Sequence, residues 1–419
     1  MTGRKLIALY SVHQSLHWFV TGLLVPVITL MQMEKGLDLL QIGLTIAVCS
    51  ATVMALELPT GGLADSIGRK RVYLYSLIVK TIAIIVMLFA RTFLFVMVGF
   101  LALGIARALS SGTMDAWFVD EFNRVETNGN LQSALAVVGV FIPVGLGIGS
   151  VLGGILPDTL GRVLEQNRYL DLYSANLFAM ALLVIIQMLF TLLAIKDHHV
   201  PEADTDGVSG FRKFPQILGA SITYGIRNRV VLMLLASTAA LGFALSGLEN
   251  FWQPQLKGIL GGKFQTWLFG VLSAGYFLSA SIGNLVVTPI CRVFRNRYAA
   301  VLFVSRIGMG VIWFLLALQT TLQGFAVFYI VVFLFNGISN SPHATIMNRE
   351  IPTSKRSTLL SLESLILQSG AVVGSIFMGF VSKVQSISVA WYIGSVILLV
   401  SSVFYLSMSK ASNPGTPKG

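Results

Sequence analysis

Ionisable side chains set inside long apolar runs are the part of this chain that could do chemistry. Glu57, Lys80, Arg107 and Asp115 all fall in stretches otherwise built from aliphatic and aromatic residues. A charge at a bilayer centre costs roughly 2.5–3.5 kcal/mol even on the lenient insertion scale, so such residues normally face a partner or a wet cavity. Arg107, Ser111 and Asp115 follow at four-residue steps, which places them on one face of a continuous helix. Glu57 lies in an apolar run beside Pro59-Thr60-Gly61. A carboxyl poised there between desolvation and the cations Arg107 and Lys80 can load and unload a proton as a cavity alternates between sides. Glu57 and Asp115 are therefore the proton-site candidates, with Arg107 tuning them. A structural ion pair is the competing reading of Arg107.

His13 and His17 stand at i and i+4, with Gln14 and Trp18 alongside. Imidazoles titrate near neutral pH, so a proton relay is conceivable, but cavity lining is the expectation. A metal site would need further ligands that the sequence does not offer, and none is expected. In the second half, Glu249, Asn250 and Trp252 cluster with Phe251 and Gln253, and Glu363 and Gln368 follow later. Aromatic rings beside an acid suit an amphiphilic or cationic guest. Two competing readings place Phe251 and Trp252 in an interfacial aromatic belt and make Glu363 a neutraliser of Arg306.

The elements that must position these residues are apolar spans. Of 419 residues, 55% are hydrophobic and only 11% charged, with mean hydropathy +0.79. Soluble domains carry about 25% charged residues, so most of this chain faces lipid or other apolar helices. The net charge of +11 does not indicate nucleic acid, because the basic residues sit in short loops and form no stripe on a soluble domain. Cys49 and Cys291 are isolated, which implies neither a disulfide framework nor a metal cluster. Runs of about 20 apolar residues give twelve spans near 6–32, 39–64, 71–90, 93–119, 131–156, 171–195, 230–256, 265–289, 298–318, 322–346, 357–383 and 387–408. The first is longer than a signal-peptide core of 7–15 residues and is read as a retained helix. With both termini in the cytoplasm, most Lys and Arg fall in cytoplasmic segments, as the positive-inside rule requires.

The expected fold class is an all-α membrane protein with two six-helix bundles, residues 1–196 and 229–419. Residues 197–228 form a cytoplasmic linker, or alternatively an amphipathic helix on the membrane surface. The halves repeat faintly, as transporter folds do. At nearly one spacing, Arg69-Lys70-Arg71 matches Arg295-Asn296-Arg297, Lys80 matches Arg306, and the run Gly145 to Ser150 matches Gly370 to Ser375.

Between the second and third spans, Gly61-Gly62-Leu63-Ala64-Asp65-Ser66-Ile67-Gly68-Arg69-Lys70-Arg71 is a densely charged stretch in a chain where charge is scarce. It reads as a tight cytoplasmic loop, and it resembles the G-x-L-A-D-x-x-G-R-K signature of major facilitator superfamily transporters, with Ser66 where an Arg is usual. The resemblance implies a latch in which Arg69 pairs with Asp120, with Gly61, Asp65 and Gly68 as the other signature positions. Gly145, Gly149, Ser150, Gly153 and Gly154 resemble the family's G-x-x-x-G-P-x-x-G-G antiporter motif, with Ser150 in place of Pro. Arg107 resembles the helix-four Arg implicated in proton coupling in relatives. Asn348-Arg349-Glu350-Ile351-Pro352 with Arg356-Ser357-Thr358 looks like a loop of the macrolide and tetracycline exporters. The resemblance thus implies a monomeric, proton-coupled exporter of amphiphilic or cationic drug-like compounds in the inner (plasma) membrane, working by alternating access, with a small-molecule substrate, protons and the bilayer as partners. No G-x-x-x-x-G-K-[ST] loop is present, and no cofactor is expected. The alternative keeps the fold and carries a metabolite or an organic anion drawn to Arg107. A non-transporting sensor and an intramembrane enzyme are further classes, but neither Asp115 in Ser-Gly-Thr-Met-Asp nor His343 after Ser341-Pro342 makes a catalytic pattern.

Overall fold

The computed structural model describes residues 2–126, 129–197, 219, 225, 227–261, 265–352 and 356–411, apart from the side chains of Leu58, Asp65, Ser357, Thr358 and 409–411. Most of the 197–228 segment, and with it the linker or surface-helix reading, lies outside the described residues. Every regular element among the described residues is helical. Among the described residues, eleven helical spans are long and apolar enough to cross a membrane.

The chain forms two compact units, Met1–Phe214 with Phe264–Gly275, and Pro215–Lys263 with Tyr276–Gly419. The first unit opens with α1 (Gly3–Gly22) and α2 (Ile28–Glu34), followed by α3 (Leu39–Ile67), α4 (Arg69–Phe89), α5 (Phe93–Ser110), α6 (Thr113–Val125) and α7 (Leu131–Leu156). A π-helical turn at Pro157–Gly161, the short α8 (Arg162–Leu164) and α9 (Ser174–Ala194) complete it. Then come α10 (Arg229–Leu260), α11 (Thr266–Val293), whose first turns cluster with the first unit, α12 (Tyr298–Ala317), α13 (Leu322–Glu350), α14 (Arg356–Val384), α15 (Ile387–Ser401) and α16 (Val403–Ala411).

Three sequence expectations change. The first span is not one helix, because residues 23–27 interrupt it around Pro26. Asn176 takes up the freed Leu23 carbonyl, donating Nδ2 to it at 2.8 Å and to the Gly153 carbonyl at 2.7 Å. The eleven apolar spans do not include α1, whose Arg4, Lys5, Ser11, His13, Gln14 and His17 dilute its hydropathy. The fourth span is also broken: Gly112 adopts φ +66°, a left-handed conformation open to glycine at little cost, and it separates α5 from α6. Lastly, the charged stretch is not a loop. α3 stays helical to Ile67, and the single residue Gly68, at φ +98°, turns the chain into α4.

Each unit is held by a glycine seam, the packing device that brings membrane helices into backbone contact. In the first unit a Cβ on Gly145, Gly149 or Gly153 of α7 would stand 2.3, 2.2 and 2.3 Å from the carbonyl oxygens of Ser15, Phe19 and Leu23. In the second, a Cβ on Gly370 or Gly374 of α14 would meet the carbonyls of Ala239 and Phe243 of α10 at 2.4 and 2.3 Å. The faint sequence repeat is thus a repeated seam. Gly154, the last glycine of the antiporter-like motif, instead faces the start of α11, where Thr266 Oγ1 donates to the Gly154 carbonyl at 2.5 Å.

Candidate functional site

Polar residues of the first unit converge from α1, α4, α5, α6 and α9. Tyr10, Gln14 and His17 form one stripe of α1 at helical spacing. Tyr10 donates its hydroxyl to Asp115 Oδ1 at 2.6 Å, and Gln14 Nε2 donates to the same oxygen at 3.0 Å and to the Tyr10 hydroxyl. Tyr10 itself is buried, stacked on Phe118 at 4.5 Å. Asp115 sits in the first turn of α6, where the helix dipole favours a carboxylate. One turn along α1, His17 Nδ1 lies 3.0 Å from the Tyr73 hydroxyl, which also accepts from Gln187 Nε2 at 2.5 Å. His13 Nε2 is 3.2 Å from Thr191 Oγ1. Trp18 packs edge-on against His17.

The break at Gly112 divides the residues expected on one face. Asp115 is held by α1, whereas Ser111 Oγ donates to Glu57 Oε1 at 2.8 Å. Neither carboxylate makes an ion pair with Arg107, and Arg107 and Lys80 have no acidic partner among the described residues. Lys80 is only 9% exposed, while Arg107 is exposed. The two cations lie within each other's electrostatic reach, and His17 feels both. The arrangement is a positive region lined by hydroxyl, amide and imidazole groups. The ion-pair reading of Arg107 is not observed.

At one end of the unit, Arg69 Nη1 pairs with Asp120 Oδ2, on α4 and α6. Both partners belong to the first unit, so this bond alone ties no second bundle. Lys70 Nζ donates to the Leu192 and Ile195 carbonyls at 2.9 and 2.6 Å, closing the end of α9. Gly61 has no neighbour within 4 Å of a built Cβ. The side chain of Asp65 lies outside the described residues. Elsewhere in the unit, Lys35 Nζ and Asp171 Oδ2 form a buried ion pair at 2.7 Å.

In the second unit, Glu249 is exposed and accepts from the Tyr276 hydroxyl at 3.1 Å. Tyr276 packs on Phe333 at 3.8 Å and on Phe277 at 4.4 Å. Asn250 Nδ2 donates to Ser375 Oγ at 3.0 Å. Phe251 and Trp252 are buried, Trp252 against Tyr329 at 5.1 Å, so neither belongs to an interfacial belt. Glu363 does not neutralise Arg306. It pairs with His343, Nε2 to Oε1 2.5 Å, while Arg306 Nη2 donates to the Tyr405 hydroxyl at 2.9 Å. Gln368 is half-buried on α14. Ser150 is buried inside α7.

Sequence reasoning passed over Tyr10, Tyr73, Gln187 and Thr191. The signals were there: Tyr10 stands four residues before Gln14, and Gln187 is a lone amide in an apolar run. No group of three or more His, Cys, Asp or Glu among the described residues is placed to hold a metal.

Residues 12–362 match the sequence profile of the Major Facilitator Superfamily. The uncharacterized MFS-type transporter YxaM of Bacillus subtilis (strain 168) is 22% identical over 411 residues, covering 96% of either chain. The minor myo-inositol transporter IolF of the same strain is 24% identical over 354 residues, 81% of this chain and 75% of that one. Among solved structures, the nucleoside transporter NupG shares the fold at TM-score 0.76 and 16% identity, over 97% of this chain and 99% of its own. A bacterial homolog of the human lysosomal transporter Spinster, inward-facing and unoccupied, aligns at TM-score 0.72 and 14% identity over 97% of each chain.

Proposed function

The chain belongs to the Major Facilitator Superfamily and is a multi-pass membrane transporter rather than an enzyme, and from that premise we propose that it is a proton-coupled secondary transporter of a small, hydroxyl-rich molecule bearing negative charge. The observation that carries this is that Lys80 and Arg107, within electrostatic reach of each other and of His17, have no acidic partner among the described residues. A buried Lys80 ammonium without a carboxylate is expensive, and an anionic cargo that meets it and the exposed Arg107 removes that cost when it binds. Tyr73, Gln14 and His17 supply the donors and acceptors a polyol takes. Inositol and nucleosides, named for one relative and one fold neighbour, are polyhydroxy compounds too.

In this reading α1 with α2 is the twelfth span, both ends are cytoplasmic, and a monomer in the inner membrane works by alternating access. Glu57 and Asp115 exchange protons as their bonds to Ser111 and Tyr10 break and re-form, and the Arg69–Asp120 pair biases one state. An exposed pair is worth about 0–1 kcal/mol, enough to shift a balanced equilibrium.

A second reading, efflux of cationic drug-like compounds, draws on Glu249 beside the rings of Tyr276, Phe277 and Phe333, a setting that attracts a cation. Flux in proteoliposomes separates the two. Glucuronate, myo-inositol, uridine and ethidium are the probes. The proposal expects glucuronate to move fastest and Lys80→Met and Arg107→Gln to abolish that flux. Ethidium transport lost in Glu249→Gln, with glucuronate inert, would establish the second reading instead.

A further inference from the structure

The second unit holds a membrane-embedded His–carboxylate pair that the proton-site candidates of the first unit leave unexplained. His343 Nε2 and Glu363 Oε1 are 2.5 Å apart, joining α13 to α14. Their side chains are 16% and 21% exposed, so the pair is neither sealed nor freely solvated. It is the one His–carboxylate pair among the described residues. His343 directly follows Pro342, which sits inside α13 and removes a backbone bond there. Other charged groups on the elements packed around the pair are Arg229, Glu249 and Lys257 of α10, Arg292 of α11 and Arg306 of α12. Arg349 and Glu350 share α13, and Arg356 and Lys383 share α14, while α15 carries no charge. Glu249 is bonded to Tyr276, Arg306 to Tyr405, Glu350 to Asn228, and Arg349 lies over the Tyr298 ring.

We infer that His343 and Glu363 together form a second proton-binding site, one whose loading is coupled to transport. This rests on the transport reading above. With one proton the pair is neutral, either as imidazolium with carboxylate or as imidazole with carboxylic acid. Losing that proton to water leaves a net charge of −1, which a low-dielectric setting disfavours. Without it the neutral imidazole can still donate Nε2–H to the carboxylate, and regaining a proton from water restores neutrality and strengthens the bond between α13 and α14. Because the two groups share the proton, its binding belongs to the pair and not to either residue. The proton state of the dyad thereby sets how strongly two helices of the second unit are tied together.

The full chain in proteoliposomes tests this with glucuronate as probe, read two ways: accumulation driven by a pH gradient, and equal exchange with no gradient. For the wild type, a gradient of one pH unit supports at most about tenfold accumulation per coupled proton. Glu363→Gln and His343→Gln are expected to keep exchange and lose accumulation, holding the probe near a ratio of one. Glu363→Asp and the swapped pair His343→Glu with Glu363→His are expected to recover part of it. Accumulation at the wild-type ratio in both single variants would overturn the proposal. Failure of the earlier reading looks different, since wild-type exchange of glucuronate is then itself missing.

Discussion

Replacing Gly149 by Ala adds one methyl group to the α1–α7 seam, and the structure predicts that it destabilises the first unit. The new Cβ would stand 2.2 Å from the Phe19 carbonyl oxygen and 3.1 Å from its Cα, both backbone atoms that cannot rotate away. Restoring an ordinary contact requires α1 to recede by roughly 1 Å at this turn, and close-packed interiors absorb such shifts poorly. Overpacking of this kind costs about 1–3 kcal/mol. Alanine also recovers about 0.5–1 kcal/mol of helix propensity over glycine, which leaves a net loss of up to about 2.5 kcal/mol. Gly139, on the same helix, has nothing within 4 Å of a built Cβ. Gly139→Ala should therefore gain propensity with no clash. Thermal unfolding can be followed through the native thiols, since Cys291 is buried and Cys49 half-buried. The expected order of apparent unfolding temperatures is Gly139→Ala, then wild type, then Gly149→Ala. A Gly149→Ala protein at least as stable as Gly139→Ala would refute the seam argument.

Asp171→Ala strands the Lys35 ammonium, whose side chain is 1% exposed, and should destabilise the protein by about 3–5 kcal/mol; adding Lys35→Met should return much of that in denaturant unfolding. Arg69→Gln and Asp120→Asn should each change unfolding by less than about 1 kcal/mol, because Asp120 is 62% exposed in the pair. A larger loss in the same assay would make the pair structural. Gly112→Ala forces a side chain into φ +66°, costing about 1–2 kcal/mol, and it should impair glucuronate flux by moving Asp115 away from Tyr10, whereas Gly258→Ala, with open space around it, should not.

Most spans were legible because uninterrupted apolar runs leave few alternatives. The span expected at 131–156 is α7, Leu131–Leu156, and that at 298–318 is α12, Tyr298–Ala317. What the sequence hid were single-residue events. Ser111-Gly112 looked like part of a helix, yet one positive φ broke it and carried Asp115 from the face of Arg107 to Tyr10 and Gln14. The charged stretch looked like a loop because four charges crowd it, but Gly68 alone makes the turn. Site partners were the least readable. Glu363 had several possible bases in the sequence, and the fold pairs it with His343 and gives Arg306 to Tyr405. The glycines of α7 were visible, but their partner, the backbone of α1, was a tertiary fact.

Binding of two sugars that differ in charge tests the central claim most directly. Glucuronate carries a carboxylate and glucosamine an ammonium on similar rings, so equilibrium titration of the purified chain isolates the sign of the charge. A unit charge about 4 Å from a cation gains about 4 kcal/mol at an effective dielectric of 20 before desolvation. The account predicts tighter binding of glucuronate, weakened at least about tenfold, or about 1.4 kcal/mol, in Lys80→Met and in Arg107→Gln. Preferential binding of glucosamine, or glucuronate binding untouched by both substitutions, would contradict it.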